Sequence, residues 1–186
     1  KTVLINKKDE VIFSTNKGNI QGYSPGRVTV FTGKARTAWG VLNMEDEFII
    51  PAIYGNLKPP NSKGYYIAEK NKKIGVIDSL GNTIIDFKYG SIYADPEEDG
   101  FVLGVYKGEV VTSLADAKKD YYDHSYKLIN TDGIKHIYHG LESNRLKFQT
   151  TGGLIGYMDK DYKVVIPATF KDGKLFSEGV TWVKNK

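Results

Sequence analysis

The amino-acid sequence predicts an all-β fold: a solenoid-like array of tandem β-hairpin or meander repeats, interrupted by one short helical insertion. Three observations carry this reading. Short apolar runs alternate with turn residues along the whole chain, and none is long. Aromatic residues make up 12% of the 186 residues, and together with frequent Val, Ile and Thr they favour strands. One pattern of runs recurs with drift about five times, the signature of stacked repeats that bury each other's apolar faces. A closed propeller-like ring of the same units is the alternative architecture.

The first run of each unit is a short apolar stretch ending in Asn or Asp. The copies read Val3-Leu4-Ile5-Asn6, Gly40-Val41-Leu42-Asn43, Gly75-Val76-Ile77-Asp78, Lys127-Leu128-Ile129-Asn130 and Gly156-Tyr157-Met158-Asp159. Asn and Asp tolerate left-handed backbone and hydrogen-bond their own turn, so each is expected to end a strand. A second apolar run follows each turn: Val11-Ile12-Phe13, Phe48-Ile49-Ile50, Thr83-Ile84-Ile85, Ile134 to Ile137, and Val164-Val165-Ile166. Each pair reads as a hairpin, with Gly81 and Gly133 able to supply a positive φ in the turns.

A third run closes each unit, and a turn glycine precedes it at Gly26, Gly64, Gly100 and Gly179. Asn144 takes that slot in the fourth unit. Asn is the non-glycine residue best suited to left-handed backbone, so the exception points to a conformational requirement. Pro51 and Pro167 follow the second run in two copies, where a strand bends or reaches a sheet edge. Trp39 and Trp182 read as packing residues. The units start at residues 3, 40, 75, 127 and 156, and the extra length in the third falls between Tyr106 and Tyr126. Linkers such as Lys70-Asn71-Lys72-Lys73 are short and polar, so a single repeat domain over 1–186 is expected.

Trp39-Gly40, an apolar pair, Asn43, a polar turn and then Phe48-Ile49-Ile50-Pro51-Ala52-Ile53-Tyr54 resemble the WG (or KWG) repeat of bacterial proteins. The last copy matches that pattern at Gly156, Asp159, Ile166-Pro167, Phe170 and Phe176-Ser177-Glu178-Gly179, with Ile155 in place of Trp. Ile74-Gly75 and Asp86 carry it in altered form, and Tyr126-Lys127 replaces the hallmark pair in the fourth copy. Residues 39–186 are thus the WG-like part, and 1–38 a degenerate first unit. The resemblance implies tandem hairpin units without catalytic residues. It supports an interaction or scaffold role by association, since a fold does not fix a function.

The segment Thr112–Asp123 breaks the pattern. Ser113 resembles a helix cap, and Leu114, Ala117 and Tyr121 fall on one helical face, so a helix of two to three turns is expected within an insertion spanning about 106–126. Insertions in repeat proteins project from one face and often bind. Tyr106, Lys118, Lys119, Tyr121, Tyr122 and Tyr126 are therefore the candidate binding residues. The competing, favoured reading is that the tyrosines pack the insertion onto the array.

Other chemistry finds little footing. The absence of Cys excludes thiolate catalysis, disulfides and Cys-based zinc sites. His136 and His139 fall on opposite faces of a strand, and the acidic stretch Asp95–Gly100 lacks the carboxylate a calcium loop needs, since Tyr106 stands at its twelfth position. No nucleophile elbow and no phosphate loop is present, so no catalytic residue and no cofactor is expected. Only three of 26 basic residues are Arg, so the +4 charge reads as a lysine-rich surface and not as a nucleic-acid interface. No run approaches the length of a membrane span. The chain opens on Lys1 and carries no signal pattern, which agrees with export or surface display after signal removal. Two functions fit: a non-catalytic protein-interaction or scaffold module, and a carbohydrate or cell-wall binding module that stacks sugars on exposed Tyr and Trp rings.

Overall fold

The computed structural model describes residues 1–33, 36–94, 102–105, 117–123, 125–138 and 144–185. They form two compact units, Lys1–Pro96 and Glu97–Lys186. Every regular element among the described residues is a β-strand. None of them is a helix long and apolar enough to cross a membrane.

In the first unit, β1 (Thr2–Ile5) and β2 (Val11–Thr15) form a hairpin. β3 (Asn19–Ser24), β4 (Arg27–Thr32), β5 (Ala38–Leu42) and β6 (Phe48–Tyr54) form a four-stranded antiparallel meander. β7 (Asn56–Leu57), β8 (Tyr66–Lys70), β9 (Lys73–Ile77) and β10 (Thr83–Tyr89) form a second, and β11 (Ser91–Ala94) follows. In the second unit β12 (Val102–Val105) pairs with β13 (Lys119–Tyr122). β14 (Ile134–Ile137), β15 (Leu146–Thr150), β16 (Ile155–Met158) and β17 (Val164–Phe170) form another meander, and β18 (Asp172–Gly173) pairs with β19 (Val183–Lys184).

The hairpins that turn at Asn6, Asn43, Asp78 and Asp159 form as the sequence predicts. Oδ1 of Asn6, Asn43, Asp78 and Asp159 accepts the backbone N–H groups two and four residues on, which closes each turn without an external partner. The turn glycines have the expected positive φ: 75° at Gly26, 81° at Gly64, 83° at Gly179, and 55° at Asn144 where Asn replaces Gly. Gly100 lies outside the described residues.

The sheets are out of phase with the sequence repeat. The third run of one copy pairs with the first run of the next, so β4 lies beside β5, β8 beside β9 and β15 beside β16. Lys70-Asn71-Lys72-Lys73 is therefore not a linker between modules. It is a tight hairpin turn inside one sheet, with φ 52° at Asn71 and 60° at Lys72. The chain passes to the next sheet within a copy, after Tyr54 and after Phe170. Each repeat thus holds two neighbouring sheets together covalently.

The glycine of each first run has a packing cause. Opposite Trp39 and Val41 stand Tyr54 and Ile50, so between these pairs the single residue Gly40 of β5 faces three of β6. The same bulge opposes β9 to β10 and β16 to β17. The extra residues fold the edge strand over the glycine. A Cβ on Gly40 would lie 2.6 Å from Ile50 O and 2.8 Å from Ala52 N, and one on Gly75 would lie 2.6 Å from Ile85 O. β10 makes the bulge with Asp86 where β6 has Pro51, so proline tolerates the geometry and does not create it. In the N-terminal hairpin Val3 stands in the glycine slot, and β1 and β2 lack the wide bulge there.

Neighbouring sheets within each unit bury their facing side chains together. Phe13, Val28, Val30 and Leu42 form one cluster. Val41, Ile50 and Tyr54 meet Leu57, Tyr66, Ala68 and Ile77 in another. In the second unit Tyr121, Ile137, Leu146, Phe148 and Met158 form the core. Arg27 adds a polar tie, its Nη1 donating to Ser79 O at 2.6 Å.

Three expectations need correction. The helix expected over Thr112–Asp123 gives way at its C-terminal part to strand β13, because Tyr121 and Tyr122 are both buried and β13 is paired along its length with β12. Residues 112–116 lie outside the described residues. The fourth repeat is anchored at Asp123 and not at Asn130: Asp123 Oδ1 accepts from Ser125 and Lys127 N–H, and Tyr122 bridges to Leu128 as Leu42 does to Phe48. Trp182 is exposed, whereas Trp39 packs against Phe31 at 5.4 Å and donates Nε1–H to Arg36 O.

Candidate functional site

The described candidate binding residues differ in exposure. Tyr106 lies outside the described residues. Lys118 is exposed and Lys119 half-buried. Tyr126 is half-buried at a left-handed position, φ 61°, in the Asp123 turn. Consecutive strand residues point to opposite faces. Tyr121 and Tyr122 are nevertheless both buried, so β13 is covered on both sides and their rings serve the core.

Tyr121 is the centre of a buried polar network. Its hydroxyl accepts from Ile137 N–H at 3.0 Å and lies 3.1 Å from His136 Nδ1. Both contacts are satisfied when the hydroxyl donates to an unprotonated Nδ1 and the imidazole proton sits on Nε2. Burial pushes the phenol up to about 12; the bond from Ile137 opposes this and nearby Tyr138 adds to it. The hydroxyl is thus neutral and fully engaged at ordinary pH, a hydrogen-bond hub in place of a base. His136 meets Tyr138 edge-on at 4.6 Å, and Lys147 Nζ lies 3.9 Å from the Tyr138 ring centroid. Lys147 also donates to Gly173 O at 3.0 Å. Its pKa is lowered, first by burial, against the attraction of Asp172. His139, the other histidine of the sequence pair, lies outside the described residues. No three His, Cys, Asp or Glu side chains among the described residues converge as a metal site would require.

The repeated surface feature is different. In every copy the residue before the turn Asn or Asp pairs with the residue five positions after that Asn or Asp. The pairs are Ile5 with Val11, Leu42 with Phe48, Ile77 with Thr83, Tyr122 with Leu128 and Met158 with Val164. Inner members other than Ile5 are buried. Outer members are exposed, and four of the five are large and apolar: Val11, Phe48, Leu128 and Val164. Each next position is also apolar, with Ile12, Ile84 and Val165 exposed. β6, β10 and β17 are edge strands of their sheets, so this apolar series runs along sheet edges. The sequence places a bend or sheet edge after the second runs at Pro51 and Pro167 but does not mark which of their side chains stay open. The fixed offset from the turn Asn or Asp was the available signal.

A family model described as WG containing repeat matches residues 39–73, 74–109 and 155–186. None of the curated proteins matches the chain in sequence. Among solved structures, the computationally designed Ika8 protein is similar at 13% identity, with 96% of this chain and 63% of that one covered and a TM-score of 0.38. BamB from Moraxella catarrhalis is similar at 11% identity, 95% and 58% coverage and a TM-score of 0.34. A eukaryotic initiation factor follows at 9% identity, 90% and 48% coverage and a TM-score of 0.39. The chain spans about half to two-thirds of the length of these proteins.

Proposed function

Because the chain belongs to the WG containing repeat family, we propose that it is a non-catalytic protein-interaction or scaffold module. The observation that carries the reading is the exposed apolar series at Val11, Phe48, Leu128 and Val164. One such residue would be ordinary surface. The same slot is left apolar and open twice in the first unit, at Val11 and Phe48, and twice in the second, at Leu128 and Val164, so each unit offers a repeated contact for a partner. An enzymatic role has less support, since the buried cluster of Tyr121, His136 and Lys147 uses its titratable groups to satisfy backbone and ring contacts. The carbohydrate-binding alternative requires open aromatic faces. Tyr23, Tyr93 and Trp182 are exposed, while Tyr54, Tyr66, Tyr89, Tyr121, Tyr122 and Tyr157 are buried, so the open rings are few and lie outside the repeated slot, which supports the protein partner.

The test replaces the four exposed residues together with Ser. Wild type and variant are immobilised, cross-linked to native-source extract, and in parallel pulled down on insoluble polysaccharides. The expected result is a retained protein that the variant loses at unchanged melting temperature. Retention on polysaccharide that the substitutions leave untouched would favour the alternative.

A further inference from the structure

One cation of the second unit stands where the fold needs none. Lys147 lies on strand β15 opposite Tyr157. In the corresponding pairs of the first unit Thr29 faces Val41 and Ile67 faces Val76, so an uncharged side chain serves the same place. A charge kept where its siblings have none invites a functional explanation. Lys147 is half-buried, and its ammonium carries three donors. Its contacts are one hydrogen bond, to Gly173 O at 3.0 Å, and the Tyr138 ring, 3.9 Å from the centroid.

Those contacts make Lys147 a latch on β18–β19. A two-stranded hairpin is marginal in water unless it rests on a larger surface. This hairpin rests on neighbouring residues of β15 and β16. Besides the Lys147 bond, Tyr157 Oη donates to Lys174 O at 2.8 Å, and the Tyr157 ring meets Phe176 edge-on at 5.1 Å. The seat is close: a Cβ on Gly173 would lie 2.5 Å from Tyr157 Oη. The same surroundings make the amine a nucleophile. Burial favours its neutral form, which keeps an N–H for Gly173 O and has a lone pair left for attack.

We propose that Lys147 is a modification site, acylated by small acyl phosphates ahead of the exposed lysines, and that its acylation undocks β18–β19. In the step, the neutral amine attacks the acyl carbon and a C–N bond forms. The C–O bond to phosphate breaks, phosphate leaves with that electron pair, and the proton lost by nitrogen passes to water. The product amide carries no charge, so its attraction to the Tyr138 ring and to Asp172 ends. Its acyl group must also find room beside Gly173, where even a methyl does not fit. The site is independent of the apolar edge series and of the partner proposed above.

The test treats the whole chain with limiting acetyl phosphate. A second, isotopic acetylation after unfolding then gives the fraction modified at each lysine by mass spectrometry. Lys160 and Lys163 are the exposed references. Hydrogen exchange is followed at the amides of Lys171 and Lys174, which bond to Lys184 O and Trp182 O across the hairpin. Lys147 is expected to react at least about threefold faster than the references. Exchange at Lys171 and Lys174 should quicken about tenfold in the acetylated chain and in Lys147→Gln, while Lys147→Arg, which keeps charge and donors, stays near the native rate. Reaction at Lys147 no faster than at Lys160 and Lys163 overturns the proposal. So does acetylated Lys147 with unchanged protection of the hairpin, a result that needs no variant to fold.

Discussion

Replacing Gly40 with Ala tests the packing cause assigned to the repeat's hallmark glycine. The new Cβ would sit 2.6 Å from Ile50 O, 2.8 Å from Ala52 N and 2.9 Å from Ala52 Cα, against 3.4 Å for ordinary contact. All three obstacles are backbone atoms of the bulged strand β6, so no side chain can swing aside. Relief requires flattening the bulge that carries Pro51 and buries Tyr54. Overpacking of this kind costs about 3 kcal/mol, at the upper end for an added methyl because the obstacle is rigid. For a unit of this size that is a fall in melting temperature of roughly 10–20 °C. Gly22→Ala is the matched control. It is also a strand glycine, it has nothing within 4 Å of its added Cβ, and it lacks a positive φ. It should be neutral or stabilise by about 0.5 kcal/mol through the unfolded chain. Thermal and urea unfolding of both variants decide the matter. Equal stabilities for Gly40→Ala and Gly22→Ala would refute the account and leave strand propensity as the cause.

Three further outcomes follow from the structure. Tyr121→Phe keeps the ring but strands Ile137 N–H and His136 Nδ1, and should cost about 1–3 kcal/mol in urea unfolding; a loss below about 0.5 kcal/mol would mean that water or another group replaces the hydroxyl. Burial raises both Tyr121 and Tyr162 from 10.0 to about 12, so the folded state favours their neutral forms: that stability is intact below pH 10 and is lost as pH rises from 10 to 12, where tyrosinate absorbance and loss of structure should appear together. At Asp78 burial opposes ionisation, yet hydrogen bonds from Asn82, Leu80 and Gly81 prevail and lower its pKa below 3.8, so its contribution is present above that pH and fades below it. Asp78→Asn should keep the turn, as Asn43 does, and remove the acid dependence, while Asp78→Ala should cost about 1 kcal/mol at neutral pH; acid titration of the melting temperature reads both.

The glycine and Asn/Asp slots were legible because they act locally. Asn6, Asn43, Asp78 and Asp159 bond to N–H groups two and four residues away, so their effect is written within a few residues. Asn144 taking a glycine's left-handed position follows for the same reason. The Asp123 turn was misplaced to Asn130 because its strand carries Asp120 where three other copies have Gly40, Gly75 and Gly156, which hid the register. What Tyr121 packs against was not legible, because its partners Ile137, Phe148 and Met158 lie 16 to 37 residues further on.

By itself the sequence determined the all-β class, the repeat, its turns and the family, since each depends on spacings of a few residues. Tertiary structure alone decided how the runs share sheets. A third run pairs on one side with the strand just before it and on the other with the first run of the next copy, which lies beyond the copy's own boundary. That displacement by half a unit fixes what the sequence left open. It places the hallmark glycine beneath a bulged neighbour and turns the second runs into edges with an apolar series.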